Sequence, residues 1–228
     1  MGENITKHMD TKFAELDKKF SELLGKKDEE IGILRSEVAN LRSELKTIKS
    51  GLDDADALER CHTLIFSGST LPAFSSGEDA KQIIANTVKD KLKININIGD
   101  VDTARRMGSA VSGSGSDNRK IVVKLLRRSL KKDLIVASKK VNNLYLNEDL
   151  TPTRRSLLFS VRKIKREHSS IVKGYTTIDG RIYVFTAPTA GSAGRDVRHQ
   201  INTREKLADF CRTYVKVELE SFLEAWQA

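Results

Sequence analysis

The residues whose types and spacing suggest chemistry here are arginines interleaved with aromatic rings. On a helix turning about 100° per residue, Arg155, Arg162 and Arg166 stack in a narrow band and Phe159 projects beside them. An aromatic ring among guanidinium groups can stack a nucleic-acid base while the arginines hold phosphates. The structural alternative has Phe159 at the edge of a core with the arginine stems covering it. Further on, Lys173, Tyr175, Arg181 and Tyr183 mix cations with rings on two strands flanking Asp179-Gly180. A one-residue change of register would exchange the faces these four occupy. Upstream, Arg105, Arg106, Lys120, Lys124, Arg127 and Arg128 cluster around a Gly/Ser-rich loop, whereas Lys139 and Lys140 read as a solvated face.

Catalysis finds less support. The chain has no G-x-x-x-x-G-K-[ST] loop, no G-x-S-x-G elbow and no carboxylate cluster beside a histidine. His8, His62, His168 and His199 are scattered, and the Gly/Ser loop at 112–116 lacks the lysine of a phosphate cradle. Cys61 and Cys211 form no C-x-x-C pair, so neither a zinc site nor a disulfide framework is expected, and a reducing, intracellular setting fits. The expectation is a non-enzymatic protein with no cofactor and no metal. No apolar run is long enough to span a bilayer and no signal peptide is expected. Met1-Gly2-Glu3-Asn4-Ile5-Thr6 fits the myristoylation template, a pattern short and tolerant enough to occur by chance.

Charge divides the chain unevenly. Residues 1–58 hold 10 Lys+Arg against 13 Asp+Glu, a net of −3; residues 59–150 hold 16 against 10 and residues 151–228 hold 14 against 8, each +6. The positive excess lies outside the N-terminal quarter, and a polyanion, nucleic acid before membrane, is the natural partner.

The N-terminal stretch supplies the scaffold. Ile31, Leu34, Val38, Leu41, Leu45, Ile48 and Leu52 alternate spacings of three and four, the heptad period of a coiled coil. With Ile31, Val38, Leu45 and Leu52 at a, Glu30, Glu37 and Glu44 fall at g and Arg35, Arg42 and Lys49 at e. Opposite charges then meet in parallel identical strands and like charges meet in antiparallel ones, so a parallel homo-oligomer is expected. The seam extends back through Met9, Phe13, Leu16, Phe20 and Leu23, and the eight-residue step from Leu23 to Ile31 reads as a stutter. Gly51, Asp53, Asp54 and Asp56 mark its end.

Beyond the coil the period changes. Leu64-Ile65-Phe66 reads as a strand, Ser76-Gly77-Glu78-Asp79 as the start of a helix with Ile83, Ile84, Val88 and Leu92 inward, and Ile96 to Met107 as holding a second strand. Arg119 to Leu126 is the expected central strand, Ser129 to Lys140 a helix, and Leu144-Tyr145-Leu146 a last strand. This is the β-α-β-β-α-β order of ferredoxin-like folds, here without the base-stacking aromatics of an RNA-recognition module beyond Phe66. Thr151-Pro152 opens a basic helix to about His168. Asp179-Gly180 marks a hairpin, Ala187 to Gln200 a loop carrying Arg195 and Arg198, and Asn202-Thr203 caps a final helix with an amphipathic acidic tail after it. The expected fold class is α+β: an N-terminal extension (1–12), a parallel coiled coil (13–58), a ferredoxin-like, RRM-like domain (59–150) and a small basic α/β domain (151–228).

Coil, divergent recognition domain with Thr103-Ala104-Arg105-Arg106-Met107-Gly108, and Asn147-Glu148-Asp149-Leu150-Thr151-Pro152-Thr153-Arg154-Arg155 opening a basic helix together resemble the first open-reading-frame protein of LINE-type non-LTR retrotransposons. The resemblance covers the chain in architecture, and those two motifs are its specific part. It implies a trimeric nucleic-acid chaperone that coats single-stranded RNA, or single-stranded DNA, in cytoplasmic ribonucleoprotein particles, and leaves nuclear access open. It also implies backbone contacts from Arg105, Arg106, Arg154 and Arg155. The chain departs from the family in lacking a cysteine-histidine knuckle and in its short, stuttered coil; insect-virus structural proteins look similar. The competing expectation is a coiled-coil scaffold whose basic domains bind an acidic protein or membrane surface, and a duplex-DNA reader is disfavoured by the absence of a helix-turn-helix or basic zipper.

Overall fold

The computed structural model describes residues 2–108, 119–188 and 195–217. The Gly/Ser loop falls outside these, as does the tail after Val217. The chain is mixed α+β and divides into a unit ending at Leu52 and a compact unit beginning at Asp53.

The first unit is helix. α1 runs Gly2–Glu59, so residues 2–12 are helical too, and Gly51 does not stop it. Ile31, Leu34, Val38, Leu41, Leu45, Ile48 and Leu52 are each between 44% and 69% exposed on the single chain. Seven apolar side chains at heptad spacing are thus left uncovered by the chain's own fold. No helix of the described residues is long and apolar enough to cross a membrane.

The compact unit takes the last turns of α1, where Ala57 is buried, and the 3-10 turn Arg60–His62 after it, where Cys61 is buried. Its first part holds β1 (Thr63–Ser67), α2 (Ala80–Thr87), β2 (Val101–Arg106), β3 (Ile121–Leu125), α3 (Arg128–Ser138) and β4 (Tyr145–Glu148). The strands form one antiparallel sheet in the order β2-β3-β1-β4. Strand alternation puts Leu64, Phe66, Ile121, Val123, Leu125 and Leu146 on the face covered by α2 and α3, where they pack with Ile84, Val88, Leu130 and Leu134. Asp79 caps α2 by accepting from the backbone N–H of Lys81, as its sequence position foretold. Gly68 is required: a Cβ there would lie 2.0 Å from the Asn143 carbonyl oxygen, and its φ is +124°.

The second part holds α4 (Pro152–Glu167), β5 (Val172–Ile178), β6 (Arg181–Thr186), β7 (Val197–Gln200) and α5 (Arg204–Phe210). Its antiparallel sheet has the order β5-β6-β7. β7 lies in the stretch expected to be loop; its four residues pair with β6, and that pairing rather than any hydrophobic run makes it a strand. Leu157, Val161 and Ile164 of α4 pack with Ile182 and Val184 of β6 and with Leu207, Phe210 and Cys211 from the α5 end. Burial pushes the Cys211 thiol up to about 11.

Candidate nucleic-acid interface

The band on α4 emerges as the spacing requires. Thr151 caps the helix by accepting from the Arg154 N–H at 3.2 Å, with Pro152 in the first turn. Leu157, Leu158, Val161 and Ile164 turn inward, so Arg155, Phe159, Arg162 and Arg166 are left outward. Phe159 is 52% exposed, which decides between the two readings of its ring: it is presented, not used as core edge. The Arg162 guanidinium lies over the ring of Tyr175, 5.9 Å from its centroid. Arg162 and Arg166 make no ion pair with another described residue. Arg155 touches Asp149 at 3.7 Å and donates to the Leu150 carbonyl, with its side chain 60% exposed.

Arg154 does not belong to this surface. One residue earlier on the helix, it turns 100° inward and is 2% exposed. Its Nε donates to Asp53 Oδ2 at 2.9 Å, its Nη1 to the Gly180 carbonyl at 3.1 Å, and its Nη2 to Asp54. The Thr151 hydroxyl donates to the other oxygen of Asp53 at 2.6 Å. Arg154 therefore ties the helix to the end of α1 and to the hairpin turn, and the phosphate contact implied for it by the family resemblance gives way to a structural one.

The hairpin resolves its own ambiguity. Asp179 and Gly180 both have positive φ, 52° and 74°, as a two-residue type I′ turn demands. The register Ile178↔Arg181, Thr176↔Tyr183 and Tyr175↔Val184 puts Tyr175 on the face of α4, and Arg181 and Tyr183 on the opposite face. Lys173 is exposed beside a register shift near the start of β5. The turn itself is docked. Asp179 and Gly180 donate their backbone N–H groups to Glu148 at 2.9 and 3.2 Å. Glu148 also pairs with the buried Lys131 at 2.6 Å, and Lys131 donates to the Cys61 carbonyl at 2.5 Å. Arg128 pairs with Asp179 and, with help from Lys131, holds that carboxyl below the usual carboxylate range.

The basic cluster of the first sheet is sorted by register. Arg105 sits opposite Val122 on the open face, exposed and without an ion pair to another described residue. Arg106 sits opposite Ile121 on the helix-covered face. It makes a bidentate pair with Glu78 at 2.7 and 3.0 Å and donates to the Pro72 and Arg119 carbonyls. Arg106 is thus a tie between β2 and the start of α2, and it lowers the Glu78 pKa. Arg127, itself exposed, makes a bidentate pair with the largely covered Asp100 and lowers that carboxyl, and Lys124 lies 4.0 Å from Asp102 in a pair open to solvent. Lys120 is exposed without an ion pair to another described residue.

Phe66, expected to be the one aromatic available on this sheet, is fully buried; pairing with Leu146 and Ile121 fixes it inward. Tyr145 takes the open face instead, opposite Ser67 and 59% exposed. The alternation in Leu144-Tyr145-Leu146 was the available signal for it.

Between α3 and β5 lies a cleft of about 610 Å³ whose lining mixes Arg128, Lys132 and Lys139 with Asp133, Glu148 and Asp179. The exposed cations and rings thus occupy at least four places: the α4 band with Tyr175, the open face with Arg105 and Tyr145, this cleft, and the face of the β5-β6-β7 sheet turned away from α4, with Arg181 and with Arg198 over Tyr183. No protein-family model matches the chain, and no curated protein matches it.

Proposed function

We propose that this protein is a non-enzymatic, oligomeric binder of single-stranded nucleic acid, RNA first, that works as a nucleic-acid chaperone. The observation carrying the reading is the outward band Arg155-Phe159-Arg162-Arg166 with Tyr175 under Arg162. Cations free to meet phosphate, interleaved with rings free to meet a base face, suit an unpaired strand, because a duplex keeps its base faces covered. The strand order β2-β3-β1-β4 supports reading the first part as a split βαβ, RRM-like domain, with Arg105 and Tyr145 on its open sheet.

The uncovered heptad positions of α1, with Glu30, Glu37 and Glu44 matched to Arg35, Arg42 and Lys49, support a parallel coiled coil of identical chains. The family resemblance favours a trimer. Linked weak sites would grip a long strand far more tightly than one site does, while each contact stays exchangeable enough for strands to slide and re-pair. By the same resemblance, the setting is a retrotransposon ribonucleoprotein particle in the cytoplasm.

The test is fluorescence-anisotropy binding of a mixed-sequence RNA of about 30 nucleotides across a salt series, wild type beside Arg155→Ala/Arg162→Ala/Arg166→Ala. Arg154 is left intact because its loss would disturb the fold. Expected is tight binding at low salt, a log-log salt slope of about −0.7 per phosphate contact, and a shallower slope with weaker binding in the variant. Salt-insensitive binding, or a variant indistinguishable from wild type, refutes the reading.

A further inference from the structure

The outer face of the β5-β6-β7 sheet has a composition that the α4 band does not account for. None of the three strands, Val172–Ile178, Arg181–Thr186 and Val197–Gln200, contains an acidic residue. The registers Thr176↔Tyr183↔Gln200 and Gly174↔Phe185↔Arg198 put all six side-chain positions on the face turned away from α4. Arg181, opposite Ile178, shares that face. The Arg198 guanidinium lies over the Tyr183 ring, 4.9 Å from its centroid. Arg181 makes no ion pair with another described residue. Among the described residues, a Cβ built on Gly174 would meet nothing within 4 Å, beside Phe185 on the same face. The sheet itself lies between this face and Tyr175, which pairs with Val184 on the α4 side, where Arg162 covers its ring.

We infer that this face is a second site for single-stranded nucleic acid, so that one chain holds two strand segments on opposite sides of one sheet. Charge and shape argue for its occupant: two arginines on strands that hold no carboxylate, a ring under one of them, and a floor at Gly174 that no described residue covers fit a phosphodiester backbone with bases laid flat. A chain holding two segments brings complementary strands together without relying on a neighbouring chain, which bears directly on annealing. The ligand class rests on the nucleic-acid reading above; the second site does not follow from that reading.

The test counts segments per chain, a quantity independent of oligomeric state. An oligouridine of about eight nucleotides, short enough for one site, is titrated to saturation at low salt and read by native mass spectrometry. Wild type is expected to take two per chain, and both Arg181→Ala/Arg198→Ala and Arg155→Ala/Arg162→Ala/Arg166→Ala one. Saturation of wild type at one per chain, abolished by the α4 variant and untouched by the sheet variant, overturns the second site and leaves the proposed function standing. Binding that neither variant changes overturns both. Photocrosslinking of wild-type protein to 5-iodouridine oligomers guards against a misfolded variant: adducts are expected on Tyr183 as well as on Phe159 or Tyr175, and their confinement to the α4 side refutes the proposal.

Discussion

Removing the Arg154 guanidinium leaves Asp53, Asp54 and the Gly180 carbonyl without their shared donor, at a position where Arg154 itself is 2% exposed. Breaking such a pair from one side costs about 3 kcal/mol, because Asp53, with a side chain only 17% exposed, keeps its desolvation penalty, whereas the 66% exposed Asp54 returns to water. Arg155, one residue on, has a solvated side chain and a loose contact to Asp149, and its loss costs less than about 1 kcal/mol. Urea unfolding of Arg154→Ala and Arg155→Ala should therefore separate them: the first loses stability, the second loses RNA affinity with stability near wild type. Equal midpoints would remove Arg154 from its structural role.

At the scale of elements, the Arg106–Glu78 pair joins β2 to the approach to α2, both side chains almost fully buried. Arg106 holds the Glu78 carboxyl below its ordinary value. A carboxyl depressed in the folded state adds stability above its unfolded pKa and loses it as pH falls through the folded one. Asp179 beside Arg128 follows the same sign. The stability gap between wild type and Glu78→Gln is expected to be widest near neutral pH and to close as pH falls below the ordinary glutamate range and through the depressed folded value, measured by urea unfolding across a pH series. A gap that persists unchanged into acid would mean that the pair contributes through shape rather than charge.

For the whole molecule, the uncovered heptads of α1 and the basic compact unit make separable demands. Val38→Asp/Leu45→Asp places charges at two a positions of the proposed coil without touching any residue after Leu52. Sedimentation should then report a monomer, with the thermal transition of the compact unit retained. Affinity for a strand of about 30 nucleotides should fall at least about tenfold, while an oligomer of about eight nucleotides binds as before, because only the long strand spans linked sites. An unchanged long-strand affinity in a monomer would sever oligomerisation from binding.

What the sequence by itself determined is whatever depends on local period and local chemistry. The heptads of α1, the Asp79 and Thr151 caps, the Asp179-Gly180 turn and the α4 band all follow from spacing along one element, and each element appears where its spacing puts it. The tertiary structure alone decided which cations are available. Arg105 and Arg106 differ by one step of a strand, Arg154 and Arg155 by one turn of 100°, and only pairing with β3 and packing against Asp53 assign them to opposite sides. β7 exists because β6 offers it an edge, and Tyr183 faces away from α4 because the turn fixes the register. Charge composition is additive along a chain, whereas exposure of a charge is a property of its neighbours in space, which are distant in sequence.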